Sequence, residues 1–98
     1  MSKFNKEEIK KYKKIAPSWK VVDDQKIVNE FNFSNFMTAI KFINKIATEA
    51  EKQGHHPKIE IDYSKVRLEL FTHTEDGLTE KDFLLAQKID GVSEEYLP

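Results

Sequence analysis

The sequence predicts an α+β fold in which a four-stranded, mainly antiparallel sheet carries three helices on one face. Three segments have apolar residues at helical spacing behind a capping signal, and four short stretches alternate apolar and polar residues. The alternating stretches form two pairs, each joined by a short polar turn, and a long helix separates the pairs. The resulting order is α-β-β-α-β-β-α, which is typical of helices packed on one side of an antiparallel sheet.

The first helix and the first hairpin are predicted in the N-terminal third of the chain. Asn5 and Glu8 have the spacing of a capping box, which predicts a helix that starts at about Lys6. Pro17 ends this helix because proline cannot continue the hydrogen-bond ladder. The hairpin that follows is predicted to have strands at residues 19–22 and 27–33, joined by a polar turn at residues 23–26.

The longest helix is predicted over residues 35–53. Ser34 is its expected N-cap, and Gly54 suits the left-handed position just beyond its last turn. Apolar side chains recur along this helix every three or four residues, in a stripe wide enough to cover one face of a sheet. The main stripe consists of Phe36, Ile40, Ile43, Ala47 and Ala50, and Ala39, Phe42 and Ile46 widen it.

A second hairpin and a third helix complete the predicted fold. Thr79 is the expected N-cap of the last helix, Asp82 occupies the third position of its capping box, and Gly91 is expected to end it. The hairpin is predicted to have strands at residues 58–63 and 66–72, around a tight turn at residues 64–65.

Length and composition restrict the class of protein. With 98 residues, the chain is predicted to form a single domain over residues 1–98. Its 16 basic and 17 acidic side chains nearly cancel, which leaves no electrostatic footprint for nucleic acid or a membrane surface. The chain has no cysteine, no apolar run near the roughly 20 residues of a membrane span and no secretory signal at its start. We therefore expect a cytoplasmic protein without disulfides.

The three histidines of the chain are all predicted to lie at one end of the second hairpin. His55 and His56 precede its first strand and His73 follows its second, so antiparallel pairing brings them together. Asp82 lies on the first turn of the last helix, a short loop away from His73. Two imidazoles that face one substrate can supply a proton donor and a proton acceptor near neutral pH. Such a pair suits an elimination or a hydration.

Other interpretations of these residues are also compatible with the sequence. Surface histidines are often only polar side chains, and Asp82 is explained by helix capping alone. Three histidines and a carboxylate can bind zinc or iron. Adjacent residues entering a strand point their side chains apart, however, which disfavours His55 and His56 on one ion. A thiol nucleophile is excluded, and without a glycine-rich loop phosphoryl transfer and cofactor-dependent redox chemistry have no support.

The polar residues at this end of the hairpin resemble the signature of the pterin-4a-carbinolamine dehydratase family. The run from Glu51 to Pro57 reads EKQGHHP, and Tyr63, His73 and Asp82 follow after five, nine and eight intervening residues. The segments FNFSNF and GLTEKD are also similar to the family. This resemblance implies the fold described above and assembly into homodimers or homotetramers through sheet pairing and helix packing.

The resemblance also implies a reaction. Members of the family remove the C4a hydroxyl and the N5 proton of 4a-hydroxytetrahydropterin, the product of aromatic amino acid hydroxylases. The pterin is the substrate, and no cofactor or metal is implied. We hypothesise that His55 and His73 are acid and base and that His56 orients the ring. The supporting residues expected around these three catalytic histidines are Asp82, Glu51, Pro57 and Trp19, with the carboxylates orienting imidazoles and Trp19 forming a wall of the pocket.

A protein-binding module is the alternative function that the resemblance implies. Some members of the family act as dimerisation cofactors of a homeodomain transcription factor, and others resemble assembly factors. The presence of all three histidines favours catalysis. The long helix is the surface expected to bind a protein partner, which can be such a transcription factor or a hydroxylase.

Overall fold

The computed structural model of the protein describes residues 2–98, which form one sheet and three α-helices in the predicted order. The strand order is β1-β2-β4-β3 and every pairing is antiparallel, so the predicted fold class is confirmed. The elements are α1 (Lys6–Tyr12, continued by a 3₁₀ turn at Lys13–Ile15), β1 (Lys20–Val22), β2 (Lys26–Asn32), α2 (Phe36–Gln53), β3 (Lys58–Asp62), β4 (Lys65–Leu70), a 3₁₀ turn at His73–Glu75 and α3 (Glu80–Ser93).

Local hydrogen bonds explain where the helices begin. Asn5 and Glu8 form the predicted capping box of α1. The N-cap of α2 is Asn35 rather than the predicted Ser34, because the Asn35 side chain accepts a hydrogen bond from the Thr38 N–H at 2.8 Å. Serine and asparagine are both good N-caps, so two of them in a row leave the start of the helix undetermined by one residue.

Several predicted boundaries differ from those in the structure by one or two residues, among them the end of α3 and the turn between β3 and β4. Gly91 does not end α3, which continues to Ser93. One glycine costs a helix about 1 kcal/mol, and the burial of Ile89 and Val92 on either side outweighs that cost. The turn between β3 and β4 comes one residue earlier than predicted, with Tyr63 in the left-handed conformation at a φ of 55°.

The core lies between the helices and one face of the sheet. Half of the residues in the apolar stripe predicted for α2 are buried in this core, and the other half are partly or fully exposed. Phe36 is 44% exposed, and Ala47 is also exposed. The stripe is too wide for the sheet alone, which leaves part of α2 uncovered. The buried apolar residues of this layer are Ile27 and Phe31 of β2, Val66, Leu68 and Leu70 of β4, and Ala39, Phe42, Ile46 and Ala50 of α2.

The opposite face of the sheet is polar and carries a buried carboxylate. Glu69 is only 6% exposed. Lys26 Nζ donates a hydrogen bond to it at 2.9 Å, and Arg67 donates a second. The hydrogen bond from Lys26 is the main cause of the lowered pKa of Glu69; burial opposes it, and Arg67 lowers the pKa further. Glu69 therefore acts as the anionic centre of an ion-pair cluster on this face.

The loops at one end of the β3–β4 hairpin hold the chain in a fixed path. Thr72 and Gly77 form an isolated bridge, in which the Thr72 N–H donates to the Gly77 carbonyl at 2.8 Å. Phe4 donates its N–H to the Leu78 carbonyl at 2.7 Å, which ties the N-terminal segment to the same region.

Among residues 2–98, none of the helices combines the length and the apolar character needed to cross a bilayer.

Candidate active site

A cleft at one end of the β3–β4 hairpin contains all three histidines. Gly54 follows α2 in the left-handed conformation, with a φ of 59°, and turns the chain so that His55 and His56 precede β3. His73 begins the 3₁₀ turn beyond the end of β4. The cleft has a volume of about 190 Å³ and is lined by Gly54, His55, His56, Thr72, His73, Thr74 and Lys81.

His55 is the innermost imidazole and is held by a buried carboxylate. Its Nε2 lies 2.6 Å from Oδ1 of Asp82, and the exposed fractions of the two side chains are 9% and 0%. An ionised carboxylate can only accept hydrogen bonds, so Nε2 of His55 carries the hydrogen. Nδ1 is then the nitrogen that can exchange a proton with a bound molecule.

Two threonines complete the hydrogen bonds of Asp82. Oδ2 of Asp82 accepts from the Thr72 hydroxyl and from the Thr79 backbone N–H, each at 2.9 Å. The Thr72 hydroxyl has one proton, which it donates to Asp82, so Thr79 donates in the 2.8 Å hydrogen bond between the two hydroxyls. Both oxygens of the Asp82 carboxylate therefore have hydrogen-bond partners, which fixes the orientation of the carboxylate and of the His55 ring.

His56 lies on the exposed rim of the cleft. Its Nε2 is 2.5 Å from Oε2 of Glu51 in the last turn of α2, and both side chains are more than half exposed. Pro57 follows directly and restricts the backbone of His56 to extended conformations. The pair Glu51–His56 therefore repeats the carboxylate–imidazole contact of the interior in a solvated setting.

His73 and Lys81 form the remaining walls of the cleft. His73 is exposed, and its ring packs on the ring of Phe71 with the two centroids 4.1 Å apart. Lys81 lies beside Asp82 on the first turn of α3 and adds a cation to the lining. Lys81, Thr72 and Phe71 were not predicted from the sequence as residues of the site. For Thr72 the sequence does contain a signal: it continues the alternation of Leu68 and Leu70 just beyond β4, and a threonine buried there requires a hydrogen-bond partner.

Trp19 does not lie in this cleft, although the resemblance suggested that it forms a wall. It is 0% exposed in the core, where it packs edge-on against Phe31. Its Nε1 donates a hydrogen bond to Oδ1 of Asp90 at 2.9 Å. Burial raises the pKa of Asp90, against the effect of the Trp19 hydrogen bond, and nearby Glu94 adds to the increase. Trp19 is therefore a core residue that anchors α3.

Two imidazoles of the cleft are oriented by carboxylates that lie outside its lining. Nε2 of His55 and Nε2 of His56 each contact a different carboxylate. Within residues 2–98, no group of three or more His, Asp or Glu side chains is placed to hold a metal ion. The arrangement instead presents an imidazole with one free nitrogen, two exposed imidazoles and a lysine to the same small volume.

Comparison with known proteins identifies the family. A family model described as pterin 4 alpha carbinolamine dehydratase matches residues 2–92, which include every residue of the cleft. The chain belongs to the pterin-4a-carbinolamine dehydratase family. The membership predicted from the spacing of the polar residues is thereby confirmed.

Two relatives named for this dehydratase are similar to the chain over most of their length. A relative from Alkaliphilus metalliredigens is 43% identical over 88 residues, which are 89% of this chain and 79% of the relative. One from Chloroflexus aggregans is 42% identical over 92 residues, which are 94% of this chain and 98% of the relative. Both carry the name "Putative pterin-4-alpha-carbinolamine dehydratase".

Solved structures of pterin dehydratases share the fold. A transcriptional coactivator/pterin dehydratase from Brucella melitensis superposes with a TM-score of 0.88 at 33% identity, covering 93% of this chain and 98% of that one. A pterin dehydratase-like protein identified as a RuBisCO assembly factor in the alpha-carboxysome superposes with a TM-score of 0.68 at 23% identity, covering 78% and 89% of the two chains. The second likeness shows the fold alone.

Proposed function

We propose that this protein dehydrates 4a-hydroxytetrahydropterin to quinonoid dihydropterin and water, as a hydro-lyase of tetrahydropterin recycling. The observation that carries the proposal is the meeting of three imidazoles in one cleft, one of them fixed by a buried carboxylate. Family membership supports the substrate class. The cleft is smaller than the roughly 300–1,000 Å³ of enclosing ligand pockets, which suits a flat ring held with one edge in solvent.

The reaction requires one proton to be donated and one to be removed. The C4a–O bond breaks as the hydroxyl takes up a proton and leaves as water. The N5–H bond breaks as a base takes that proton, and its electron pair becomes the second bond between N5 and C4a. We assign these two steps to His55 and His73, which line the cleft from different elements. The enzyme ends with the same number of protons as it began.

The partners of His55 support its role in proton exchange. With Nε2–H donated to Asp82, only Nδ1 is available to the pterin. Whenever Nδ1 is protonated, the adjacent carboxylate compensates the charge of the imidazolium. Asp82 needs no reorganisation for this, because Thr72 and Thr79 already hold it. Asp82 is therefore proposed to set the tautomer and orientation of His55 without itself exchanging protons.

The rim residues are proposed to bind the pterin ring. His56, oriented by Glu51, contacts an edge of the heterocycle in this scheme, and Pro57 keeps the backbone of His56 extended. Lys81 lies where it can donate to a carbonyl or a ring nitrogen of the pterin.

The direct test is dehydration of 4a-hydroxytetrahydropterin by variants of the purified protein. His55→Ala and His73→Ala are each expected to lower the dehydration rate by about 10²–10⁴-fold, because each removes one proton-transfer group. Lys10→Ala, an exposed change on α1, is the matched control and should leave the rate unchanged. A double histidine variant with a rate close to that of the wild type would refute the assignment.

Self-association into a homodimer or homotetramer is part of the proposal. Phe36 and Met37 on α2 are 44% and 60% exposed, and β3 is an edge strand with Ile61 39% exposed. An apolar helix stripe and an open strand edge are surfaces that a second copy can cover. Light scattering should show an oligomer for the wild type and a smaller species for Met37→Glu. A monomeric wild type at micromolar concentration would contradict this.

A protein-binding role is the second candidate, with the exposed half of the α2 stripe as its surface. The relative from Brucella melitensis, a transcriptional coactivator/pterin dehydratase, supports it. We propose a cytoplasmic location for either role, and a hydroxylase or transcription factor as partner class. Affinity capture decides between the candidates: a stoichiometric partner together with no dehydratase activity would favour the binding role.

A further inference from the structure

His73 is held differently from the other two histidines of the cleft. His55 and His56 each bond a carboxylate through Nε2. Within residues 2–98, the exposed ring of His73 makes no side-chain hydrogen bond, and its close neighbour is the ring of Phe71. The two ring centroids are 4.1 Å apart with an interplanar angle of 46°. Aromatic pairs usually lie about 4.5–7 Å apart, so these rings are in direct contact.

The backbone on either side of this contact is fixed. The Thr72 N–H donates to the Gly77 carbonyl at 2.8 Å, and the Asp76 N–H donates to the His73 carbonyl at 3.2 Å. The position of the His73 Cα is therefore set by the 3₁₀ turn. What is left free is rotation of the imidazole about its side-chain bonds, which for an exposed residue occurs within picoseconds to nanoseconds.

Phe71 lies between the His73 ring and a second cleft. It is half-buried at the end of β4, and one side of its ring faces His73. It also lines a second cleft of about 320 Å³, together with Gln25, Lys26, Glu69 and Asp76. Glu69 and Lys26 belong to the ion-pair cluster on the open face of the sheet, so this second cleft separates the Phe71 ring from charged side chains. A half-buried phenyl ring is thus the aromatic neighbour of an exposed imidazole.

We infer that Phe71 is a positioning residue that keeps the imidazole of His73 turned toward the cleft. The inference rests on the proposed function, in which His73 exchanges a proton with the pterin. Proton transfer requires a donor–acceptor distance of about 2.6–3.2 Å, and a displacement of about 1 Å can lower a rate by 10²-fold. Without an aromatic platform, the His73 ring samples other rotamers and spends less time at this distance.

The experiment combines nuclear magnetic resonance with steady-state kinetics on Phe71→Leu and Phe71→Tyr. The ring protons of His73 are assigned by comparison with His73→Gln. In the wild type and in Phe71→Tyr these protons should be displaced by the ring current of the neighbouring aromatic ring, and in Phe71→Leu the displacement should disappear. Phe71→Leu should lower kcat about tenfold with little change in KM, and Phe71→Tyr should restore most of it.

Each outcome of this experiment decides one point. Val22→Ala, on β1 away from the cleft, serves as the control for general loss of apolar packing, and melting curves verify that every variant is folded. An active wild type combined with full kcat in Phe71→Leu would overturn the inference alone. No ring-current displacement in the wild type would also overturn it. An inactive wild type would overturn the proposed function and with it the catalytic part of the inference.

Discussion

Two buried carboxylates on opposite faces of the sheet have opposite kinds of partner. Asp82, on the helix side, accepts from the imidazole of His55 and from neutral donors of Thr72 and Thr79. Glu69, on the open side, accepts from Lys26 and Arg67. Lysine and arginine keep their charge over the whole physiological pH range, whereas an imidazole can change its charge. A buried carboxylate beside cations stabilises the structure, and one beside an imidazole can support a reaction.

We expect the largest effect on the dehydration rate from the substitution Asp82→Asn. The amide keeps the size of the carboxylate, but its nitrogen cannot accept a hydrogen bond. One of the donors around Asp82 therefore loses its acceptor, and the tautomer of the His55 ring is no longer fixed. The dehydration rate should fall by about 10²–10⁴-fold, and the free energy of unfolding by about 1–3 kcal/mol. Kinetic assays and urea titrations measure the two quantities. If Asp82→Asn keeps full activity, the distinction between the two carboxylates is refuted.

Glu69→Gln is the matched change on the other face, and its effect should be on stability alone. Losing the carboxylate weakens the hydrogen bonds from Lys26 and Arg67, which should lower the free energy of unfolding by about 1–2 kcal/mol. Because the His55–Asp82 pair is untouched, the dehydration rate should stay near that of the wild type. A loss of activity as large as that of Asp82→Asn would show that both carboxylates serve the site.

The dependence of the free energy of unfolding on acidic pH is a further test of the role of Glu69. The pKa of Glu69 is lower in the folded protein than its ordinary value of 4.5, mainly through the hydrogen bond from Lys26. A lowered folded pKa contributes stability above the unfolded value, and this contribution disappears as the pH falls through the folded value. The difference in unfolding free energy between wild type and Glu69→Gln should therefore be constant near neutral pH and shrink below about pH 4.5. A constant difference down to the acid transition would argue against the ion pairs.

The smallest expected effect concerns Asp90, a carboxylate whose hydrogen-bond partner is the neutral indole of Trp19. Burial raises its pKa, so its charge destabilises the fold above the folded pKa, and this cost vanishes as the pH falls. Asp90→Asn retains an oxygen acceptor for Trp19. Its free energy of unfolding at neutral pH should be higher than that of the wild type by about 0.5 kcal/mol after solvent screening, which corresponds to about 2–4 °C in Tm. Thermal melts at neutral and acidic pH test this, and a lower Tm at neutral pH would contradict it.

The order of helices and strands could be predicted from the sequence because the patterns that indicate them are short-range. Helical spacing, strand alternation and capping signals such as that of Asn5 and Glu8 depend only on neighbouring residues. Together they predict the seven helices and strands in order. The faces of α2 were not predictable in the same way. Phe36 and Ala47 have the same apolar character as Phe42 and Ala39, and only the position of the sheet decides which pair is buried.

The cleft was partly predictable for a related reason. The hairpin topology predicts that His55 and His73 approach each other, but it gives no information on which hydrogen bonds fix them. The contact between Asp82 and His55 joins residues 27 positions apart, and the Phe71–His73 contact depends on side-chain rotamers. Trp19 shows the converse: the resemblance suggested a role in the pocket, whereas its burial and its bond to Asp90 decide its position.

The Thr79 N–H donates to Oδ2 of the carboxylate whose Oδ1 orients His55, so the first turn of α3 and the proposed acid–base residue share one side chain, Asp82. Any fraying of that turn releases Oδ2 of Asp82 and loosens the imidazole at the same moment. The deuterium exchange rate of the Thr79 amide is therefore a reporter of how often the cleft is assembled, readable without substrate. Mutations elsewhere in α3 that hasten this exchange should slow turnover in proportion, even though they never touch the pterin.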